Sequence, residues 1–267
     1  MNSHRNGLRM LGRLLPLLVL TSAGCDIAMA DHKEQASAEW RKTYQLQAGG
    51  RVEIANVNGK IRVLPSTGDA VEVVATKTGR GATQEAAKEN LGRVEIRESQ
   101  SDGTIKIETH LPRSGGLFNH TNAVVEYVVR VPASAELKAT TVNGGVEING
   151  VEGRVIAEAT NGGIEGRGIG GPIDASTTNG GVDVELTKVS DGGVKLECTN
   201  GGITLRLPSD ARASISARVT NGGIDTGNLP FKARGESSRR RLDGDLNGGG
   251  PRITLEGTNG GITLVAR

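Results

Sequence analysis

Aromatic side chains are nearly absent from this chain, which has one Trp, two Tyr and two Phe in 267 residues. A globular core normally obtains much of its buried area from aromatic rings. A core without them has to be thin and made of Val, Ile, Leu and Ala. The composition therefore favours a repetitive β structure over an ordinary globular domain.

Cysteines are few, and neither sign of charge is in excess. The two cysteines are Cys25, in the N-terminal leader, and Cys198, so we expect no intrachain disulfide in the mature protein. Removal of residues 1–30 takes away three of 32 basic and one of 30 acidic residues, which leaves 29 of each. A neutral chain offers no electrostatic basis for binding nucleic acid, so no such partner is predicted.

The N-terminus has the composition of an export signal. Arginines precede an apolar stretch at residues 14–23, and Ala28-Met29-Ala30 then offers a cleavage site, so that residues 1–30 form the signal. The apolar stretch is too short for a stable membrane-spanning helix. We therefore predict a protein that leaves the cytoplasm.

A second cleavage site competes with the first. Ser22-Ala23-Gly24-Cys25 resembles a bacterial lipobox, in which residues 1–24 are the signal and Cys25 is acylated. Both alternatives predict an exported bacterial protein that is periplasmic, anchored in the outer membrane or on the cell surface. Only lipidation of Cys25 predicts contact with a membrane.

Glycine is abundant, with 40 residues, and it concentrates in a recurring turn. The phrase Asn-Gly-Gly followed by Ile or Val recurs at intervals of 18, 18, 21, 21 and 38 residues. A period near 20 predicts a solenoid whose rungs bury their apolar faces by stacking. Asn and Gly suit turns with positive φ, and stacked amides can bond from rung to rung. We therefore predict a structural asparagine ladder made of Asn143, Asn161, Asn179, Asn200, Asn221 and Asn259.

Apolar residues alternate on both sides of these turns, as in half-buried strands. We predict an all-β solenoid with rungs of about 18–21 residues over 136–267, with an insertion at 226–250. A less regular β-rich part at 43–135 precedes it, after a polar linker at 31–42. This part is expected to contain one short helix over Thr83–Leu91, with Thr83 as its N-cap.

Acidic residues recur four positions after the asparagine, at Glu147, Glu165, Asp183 and Asp225. The neighbouring positions are apolar and point inward, so these carboxylates should face outward on one strip. Like charges at the strand spacing of about 4.8 Å repel each other. Either Arg167 and Arg206 balance this acidic strip, or it binds a cation or a basic partner, and it is therefore a candidate ligand strip.

The same carboxylates raise the alternative of a polysaccharide lyase or hydrolase, because such β-helix enzymes use acids on neighbouring rungs. The repeats lack an aromatic platform for sugar rings and contain only Phe231. Asp243-x-Asp245-x-Asn247 begins like a calcium loop, but Thr254 stands where that loop needs Glu. We predict no catalytic, cofactor-binding or metal-binding residues, and no enzymatic activity.

The chain resembles a family of exported bacterial proteins called putative adhesins, a domain of unknown function. The resemblance depends on Val52-Glu53-Ile54-Ala55-Asn56-Val57-Asn58-Gly59-Lys60-Ile61, on the Thr-Asn-Gly-Gly-Ile repeats and on the closing segment 248–262. It covers residues 43–267 and implies a β-solenoid in the cell envelope. It implies no catalytic residues.

These observations together predict a non-enzymatic envelope protein, either an adhesin-like binding module or a scaffold, that uses its repetitive surface for contact. A glycan or another envelope protein is the expected partner. Two alternatives stay open: a polysaccharide lyase or hydrolase, which needs carboxylates clustered in a groove, and an envelope-stress accessory protein, which should co-purify with a membrane sensor.

Overall fold

A computed structural model describes residues 34–112, 122–234 and 237–267 of the chain. The predicted export signal and Cys25 lie outside these residues. No helix in the described part is long and apolar enough to cross a membrane. The N-terminal elements are β1 Glu34–Gln45, β2 Arg51–Asn58, β3 Ile61–Pro65, β4 Ala70–Gly81, α1 Gln84–Gly92, β5 Glu95–Ser101, β6 Thr104–His110 and β7 Ala123–Val131.

The repeats then continue as strands alone. They are β8 Glu136–Asn143, β9 Val146–Asn149, β10 Val155–Asn161, β11 Ile164–Ile169, β12 Ile173–Asn179, β13 Val182–Leu186, β14 Val194–Asn200, β15 Ile203–Leu207, β16 Ala213–Asn221, β17 Ile224–Asp225, β18 Phe231–Ala233, β19 Arg241–Leu246, β20 Arg252–Asn259 and β21 Ile262–Ala266. Each Asn-Gly-Gly turn joins two of these strands. Such a pair forms one rung of the solenoid.

The strands form two sheets that enclose the core. Sheet A has the order β1-β4-β7-β3-β9-β11-β13-β15-β21-β17, and sheet B has the order β18-β19-β16-β20-β14-β12-β10-β8-β2-β6-β5. Each rung contributes one strand to each sheet, and neighbouring rungs pair in parallel. The predicted all-β solenoid with one short helix is confirmed.

Alternating residues build the core because successive side chains of a strand point to opposite faces. In β13, for example, Val182, Val184 and Leu186 are buried and the two residues between them are half-buried. The next rung repeats this pattern in register, with Ile203 beside Val182. Apolar columns therefore run through the stack without any aromatic side chain from these rungs.

The rungs do not stack in chain order near the C-terminus. The last pair in the chain, β20–β21, lies between β14–β15 and β16–β17. Residues 226–250, predicted as an insertion, carry the chain to the end of sheet B and back. Their strands β18 and β19 pair antiparallel there, with β19 also pairing antiparallel with β16.

The N-terminal end shows a similar return. The pair β6–β7 lies outside β2–β3, and antiparallel strands then close both sheets, β5 on β6 and β4 on β7. Strand β1 pairs with β4 along its whole length. The predicted linker at 31–42 is therefore wrong from Glu34 onward. Its polar composition is that of an exposed edge strand, in which only Ala36 and Tyr44 are buried.

Helix α1 begins as predicted, with the Thr83 hydroxyl accepting a hydrogen bond from the backbone N–H of Ala86 at 3.2 Å. It packs on β4 because two strand residues there lack side chains. A Cβ at Gly79 would lie 2.3 Å from the Ala87 carbonyl oxygen, and a Cβ at Gly81 would lie 2.6 Å from the Ala87 nitrogen. The helix thus rests directly on the strand backbone.

Candidate functional site

The asparagines of the turns form one continuous ladder. From Asn143 onward, each side-chain amide donates to the side-chain oxygen of the asparagine on the rung before it in the stack, over 2.8–2.9 Å. In stacking order the ladder contains Asn58, Asn143, Asn161, Asn179, Asn200, Asn259 and Asn221. Because these amides bond to one another, the ladder fixes the register of the rungs and leaves little capacity for a ligand.

The glycine after each asparagine allows the rungs to approach closely. At Gly180, φ is +148°, and a Cβ would lie 2.3 Å from the Gly162 carbonyl oxygen of the neighbouring rung. The second glycine is less constrained, since a Cβ at Gly181 would lie 3.4 Å from the Gly202 carbonyl oxygen. The turns therefore form a narrow edge that separates the outer faces of the two sheets.

The acidic strip lies on the outer face of sheet A. The register places Glu147 beside Glu165 and Glu165 beside Asp183. Asp225 lies apart from them, because Thr204 and Thr263 occupy the two strands between it and Asp183. Three strand spacings correspond to about 14 Å. The structure thus brings together three of the four predicted carboxylates.

Basic side chains neutralise these three carboxylates. Glu147 contacts the Lys60 ammonium at 2.6 Å and the Arg62 guanidinium at 3.1 Å. The hydrogen bond from Lys60, more than any other contact, lowers the pKa of Glu147. Glu165 contacts Arg167 at 2.9 Å.

Asp183 receives two guanidinium groups. Arg167 lies 2.7 Å from its carboxylate, and Arg206 contacts the same oxygen. Partial burial tends to raise the pKa of Asp183, but the hydrogen bonds from Arg167 and Arg206 outweigh it and hold the pKa below its usual value. The strip is therefore a mixed-charge surface whose carboxylates already have cationic partners.

A shallow groove of 460 Å³ follows the strip. Its floor contains the second glycine of four turns, at Gly145, Gly163, Gly181 and Gly202, and Glu147, Glu165 and Asp183 also line it. The groove is open, and its charged groups are engaged with one another. It offers few free polar groups to a ligand.

A second groove, of 530 Å³, lies on the outer face of sheet B. We call it the threonine groove, because its rim carries Thr178, Thr199, Thr258 and Thr220, one from each of four successive rungs. These threonines precede the asparagines and are exposed. Stacked rungs place successive hydroxyl groups about 4.8 Å apart.

Charged residues form the next row of the threonine groove. Glu197 lies beside Glu256, and Glu256 lies beside Arg218. Lys195 contacts Glu197 at 2.9 Å, whereas Glu256 and Arg218 form no ion pair within the described part of the chain. This groove therefore retains free hydrogen-bonding groups that the acidic strip does not.

Sequence reasoning missed this second row. Glu158, Glu197 and Glu256 all stand three residues before their asparagine, with Ser176 and Arg218 at the same position in other repeats. The alignment that reveals the acidic strip contains this column as well. This column is difficult to recognise in the sequence because it mixes acidic, basic and hydroxyl residues.

The segment that begins like a calcium loop is engaged in strand contacts. Ser216 donates to Asp243 at 2.6 Å, and Ser214 donates to Asp245 at 2.8 Å. Asn247 instead donates to the backbone carbonyl oxygen of Ala211 at 2.8 Å. Across the described ranges, no group of three or more His, Cys, Asp or Glu side chains is placed to hold a metal ion.

Cys198 faces the core, with 3% of its surface exposed. Its thiol donates to the Gly180 carbonyl oxygen at 3.0 Å, and burial raises the pKa of the thiol. A thiol with a raised pKa is a weak nucleophile at neutral pH. Cys198 therefore acts as a small core residue.

Comparison with solved structures finds proteins of similar fold. A putative cell adhesion protein from Clostridium sporogenes is 14% identical, with a TM-score of 0.51, over 87% of this chain and 100% of that chain. A putative adhesin from Bacteroides fragilis is 10% identical over 86% of this chain and 97% of that chain, with a TM-score of 0.31. A putative lipid binding protein from Parabacteroides distasonis is 11% identical over 85% and 96%, also with a TM-score of 0.31. The first similarity supports the solenoid fold.

Comparison with protein families confirms the resemblance inferred from the turns. No curated protein matches the chain significantly. The family model described as Toastrack DUF4097 matches residues 129–265, just over half of the chain. The chain therefore belongs to the Toastrack DUF4097 family.

Proposed function

We propose that this protein is a non-enzymatic binding module of the bacterial cell envelope that holds an extended glycan in the threonine groove. The observation that carries this proposal is the repetition of exposed Thr hydroxyls beside a charged row. Two members of that row, Glu256 and Arg218, form no ion pair with any residue that the structure describes. Hydroxyls and carboxylates at a constant spacing can bond repeatedly to the hydroxyls of a polymer. Contacts that are individually weak then add up along several rungs.

The charge of the groove indicates which glycans it accepts. Its lining has two acids, Glu197 and Glu256, and one base, Arg218. The lining contains no aromatic side chain on which a sugar ring could stack. We therefore expect weak binding that depends on polymer length and that favours neutral or amino-sugar chains over acidic ones.

The electrostatics of the acidic strip support a binding role over glycan cleavage. A glycosidase needs one carboxyl group with a raised pKa, so that it can donate a proton to the leaving oxygen. Contacts with basic side chains lower the pKa of both Glu147 and Asp183. These two residues are therefore held as carboxylates and are unsuited to act as the acid.

The proposed location in the cell envelope is inferred from the N-terminal leader. Residues 1–30 carry the features of an export signal, and Cys25 offers an alternative lipid attachment site. The intact mass of the mature protein distinguishes removal of residues 1–30 from lipidation at Cys25. A chain that begins at acylated Cys25 is tethered to a membrane, and one that begins at Asp31 is free in the periplasm or outside the cell.

The test compares matched variants in the same two rungs. Thr199→Val with Thr258→Val removes two hydroxyls from the threonine groove, and Thr204→Val with Thr263→Val removes two from sheet A. Binding is measured calorimetrically with glucosamine oligomers, dextran and alginate. We expect binding of the first two to be lost only in the threonine-groove variant.

Three results would overturn the proposal. They are binding of none of these glycans, equal loss in both variants, and preferential binding of alginate. Chromatography of the polymers after incubation tests the enzymatic alternative separately. An unchanged chain length is expected, and shortened polymers would show that the protein is a glycan-cleaving enzyme.

A further inference from the structure

The edges of the two sheets differ in length. In the described chain, sheet A ends at β1 and β17 and sheet B ends at β5 and β18. These strands contain 12, 2, 7 and 3 residues, respectively. Short edge strands are one device by which proteins prevent unwanted pairing with other chains. Strand β1 lacks it.

Strand β1 is also regular. It pairs with β4 without a bulge, from Glu34 beside Gly81 to Gln45 beside Ala70, and it contains neither Pro nor Gly. Its other edge pairs with no strand of the described chain. Alternate backbone N–H and C=O groups along that edge are therefore available to a further strand.

The sequence of β1 is complementary to itself when reversed about Trp40. We propose that two copies of this protein pair their β1 strands antiparallel about a twofold axis at Trp40, so that the two A sheets become one. In this register Glu39 lies opposite Arg41 of the second copy, and Ser37 lies opposite Thr43. Twofold symmetry repeats each of these contacts.

Charge selects this register over its neighbours. A twofold axis perpendicular to the sheet aligns equivalent faces, so alternative registers differ by steps of two residues. Centring the axis on Glu39 would place two carboxylates opposite each other, and centring it on Arg41 would oppose two guanidinium groups. Like charges directly opposite are destabilising. Of these three axes, only the one at Trp40 gives two attractive pairs.

Glu39 and Arg41 can both exchange their present contact for one across the twofold axis. Within one chain Glu39 and Arg41 contact each other, and their side chains remain 44% and 69% exposed. An exposed pair of this kind contributes little to stability. Pairing across the axis replaces it with two ion pairs between copies at small cost.

Helix α1 does not obstruct the proposed contact. It rests on Gly79 and Gly81, which lie beside Ala36 and Glu34 at one end of β1. In an antiparallel pair the two copies of α1 therefore lie at opposite ends of the contact. Trp40, which is only partly buried on this inner side, faces its symmetry mate between them.

The interface is small, so the dimer should be weak in dilute solution. One pair of strands buries less area than the roughly 1,600 Å² of a typical stable complex. A shared membrane raises the effective concentration of the two partners. Because β1 begins at Glu34, soon after Cys25, lipidation of that cysteine would favour the dimer.

Cysteine exchange tests the register directly. In mature protein carrying Cys25→Ala and Cys198→Ala, one preparation receives Ser37→Cys and another receives Thr43→Cys. Opposed residues of an antiparallel pair have Cα atoms about 4.5–5.5 Å apart, within the range of a disulfide. The mixture should form a disulfide-linked dimer on mild oxidation, and neither preparation alone should do so. Equal linkage in the separate preparations, or none in the mixture, would contradict the proposed register.

Charge reversal tests the contact without a covalent bond. Glu39→Arg places arginines opposite each other at both sites and should weaken dimerisation, measured by sedimentation equilibrium, by about tenfold. Glu39→Arg with Arg41→Glu restores complementarity and should restore the wild-type constant. A wild-type protein that is monomeric even when tethered densely to vesicles, or a double variant as weak as the single one, would overturn the proposal.

Discussion

Asn259 donates its side-chain amide to the side-chain oxygen of Asn200 at 2.8 Å, although the two residues are 59 positions apart in the chain. Asn221 is closer to Asn200 in sequence but lies one rung further away and donates instead to Asn259. The C-terminal rung is therefore inserted between two rungs that precede it. The threonine groove depends on this order, because Thr258 takes its place between Thr199 and Thr220.

The first prediction concerns the position of each asparagine in the ladder. Asn259 makes two amide contacts, whereas Asn221, the last member, makes one. A hydrogen bond contributes about 1 kcal/mol net. Asn259→Ala should therefore lower the free energy of unfolding by about twice as much as Asn221→Ala in urea denaturation. A larger loss for Asn221→Ala would be incompatible with the inserted rung.

The two glycines of one turn should respond differently to substitution. Gly180→Ala puts a methyl group 2.3 Å from a carbonyl oxygen on the next rung, at a backbone angle that side chains rarely adopt. Overpacking and backbone strain of this kind cost about 3 kcal/mol or more together. Gly181→Ala meets its neighbour at 3.4 Å and should cost less than about 1 kcal/mol. Thermal unfolding of the two variants measures the difference, and equal losses would contradict the close approach of the rungs.

Alkali should unfold the protein together with ionisation of its tyrosines. Burial raises the pKa of Tyr127 to about 12, and burial, followed by the hydrogen bond to Glu98, raises the pKa of Tyr44. A tyrosine in the unfolded chain ionises near pH 10. The stability contributed by the neutral phenols is thus complete below about pH 10 and is lost as pH rises through the folded pKa values.

An alkaline titration that follows phenolate absorbance and circular dichroism together measures this coupling. These are the only tyrosines in the chain, so the absorbance has no other source. Both signals should change in one transition above pH 10. Tyr127→Phe provides the control, since it leaves Tyr44 as the single phenol. Phenolate formation near pH 10 in a chain that keeps its native dichroism would contradict the buried positions.

Calcium should leave the melting temperature unchanged. The carboxylates of Glu147 and Asp183 each contact two basic side chains, and a cation would have to displace these partners. Replacing Arg62 and Arg167 with Gln removes one of the two basic partners from each carboxylate and provides a comparison in which a small rise is expected. A rise in the melting temperature of the wild-type protein on addition of calcium would show that the acidic strip is a cation site.

Much of the repeat architecture is visible in the sequence because each rung uses the same turn. The position three after the asparagine holds Val146, Val182 and Ile203, and all three are buried. The position two before it holds Thr177 and Cys198, which are also buried. The alternation of apolar residues identifies the inner faces, because it acts through a local rule of strand geometry.

The order in which the rungs stack cannot be deduced from the sequence in the same way. Every turn presents the same Asn-Gly-Gly edge, so any rung can dock on any other as far as its turn is concerned. The choice between Asn221 and Asn259 as the neighbour of Asn200 depends on nonlocal packing and on the route of residues 226–250. The sequence does not predict strand β1 for another reason. This edge strand is mostly exposed, so its apolar and polar residues do not alternate.

The most direct test of this account is a pair of engineered disulfides between rungs, in protein carrying Cys25→Ala and Cys198→Ala. The inserted rung places Thr199 one strand spacing, about 4.8 Å, from Thr258, and two spacings from Thr220. Thr199→Cys with Thr258→Cys should therefore oxidise to an intramolecular disulfide, and Thr199→Cys with Thr220→Cys should remain reduced. The opposite result would mean that the rungs stack in chain order and that the threonine groove is not assembled as described.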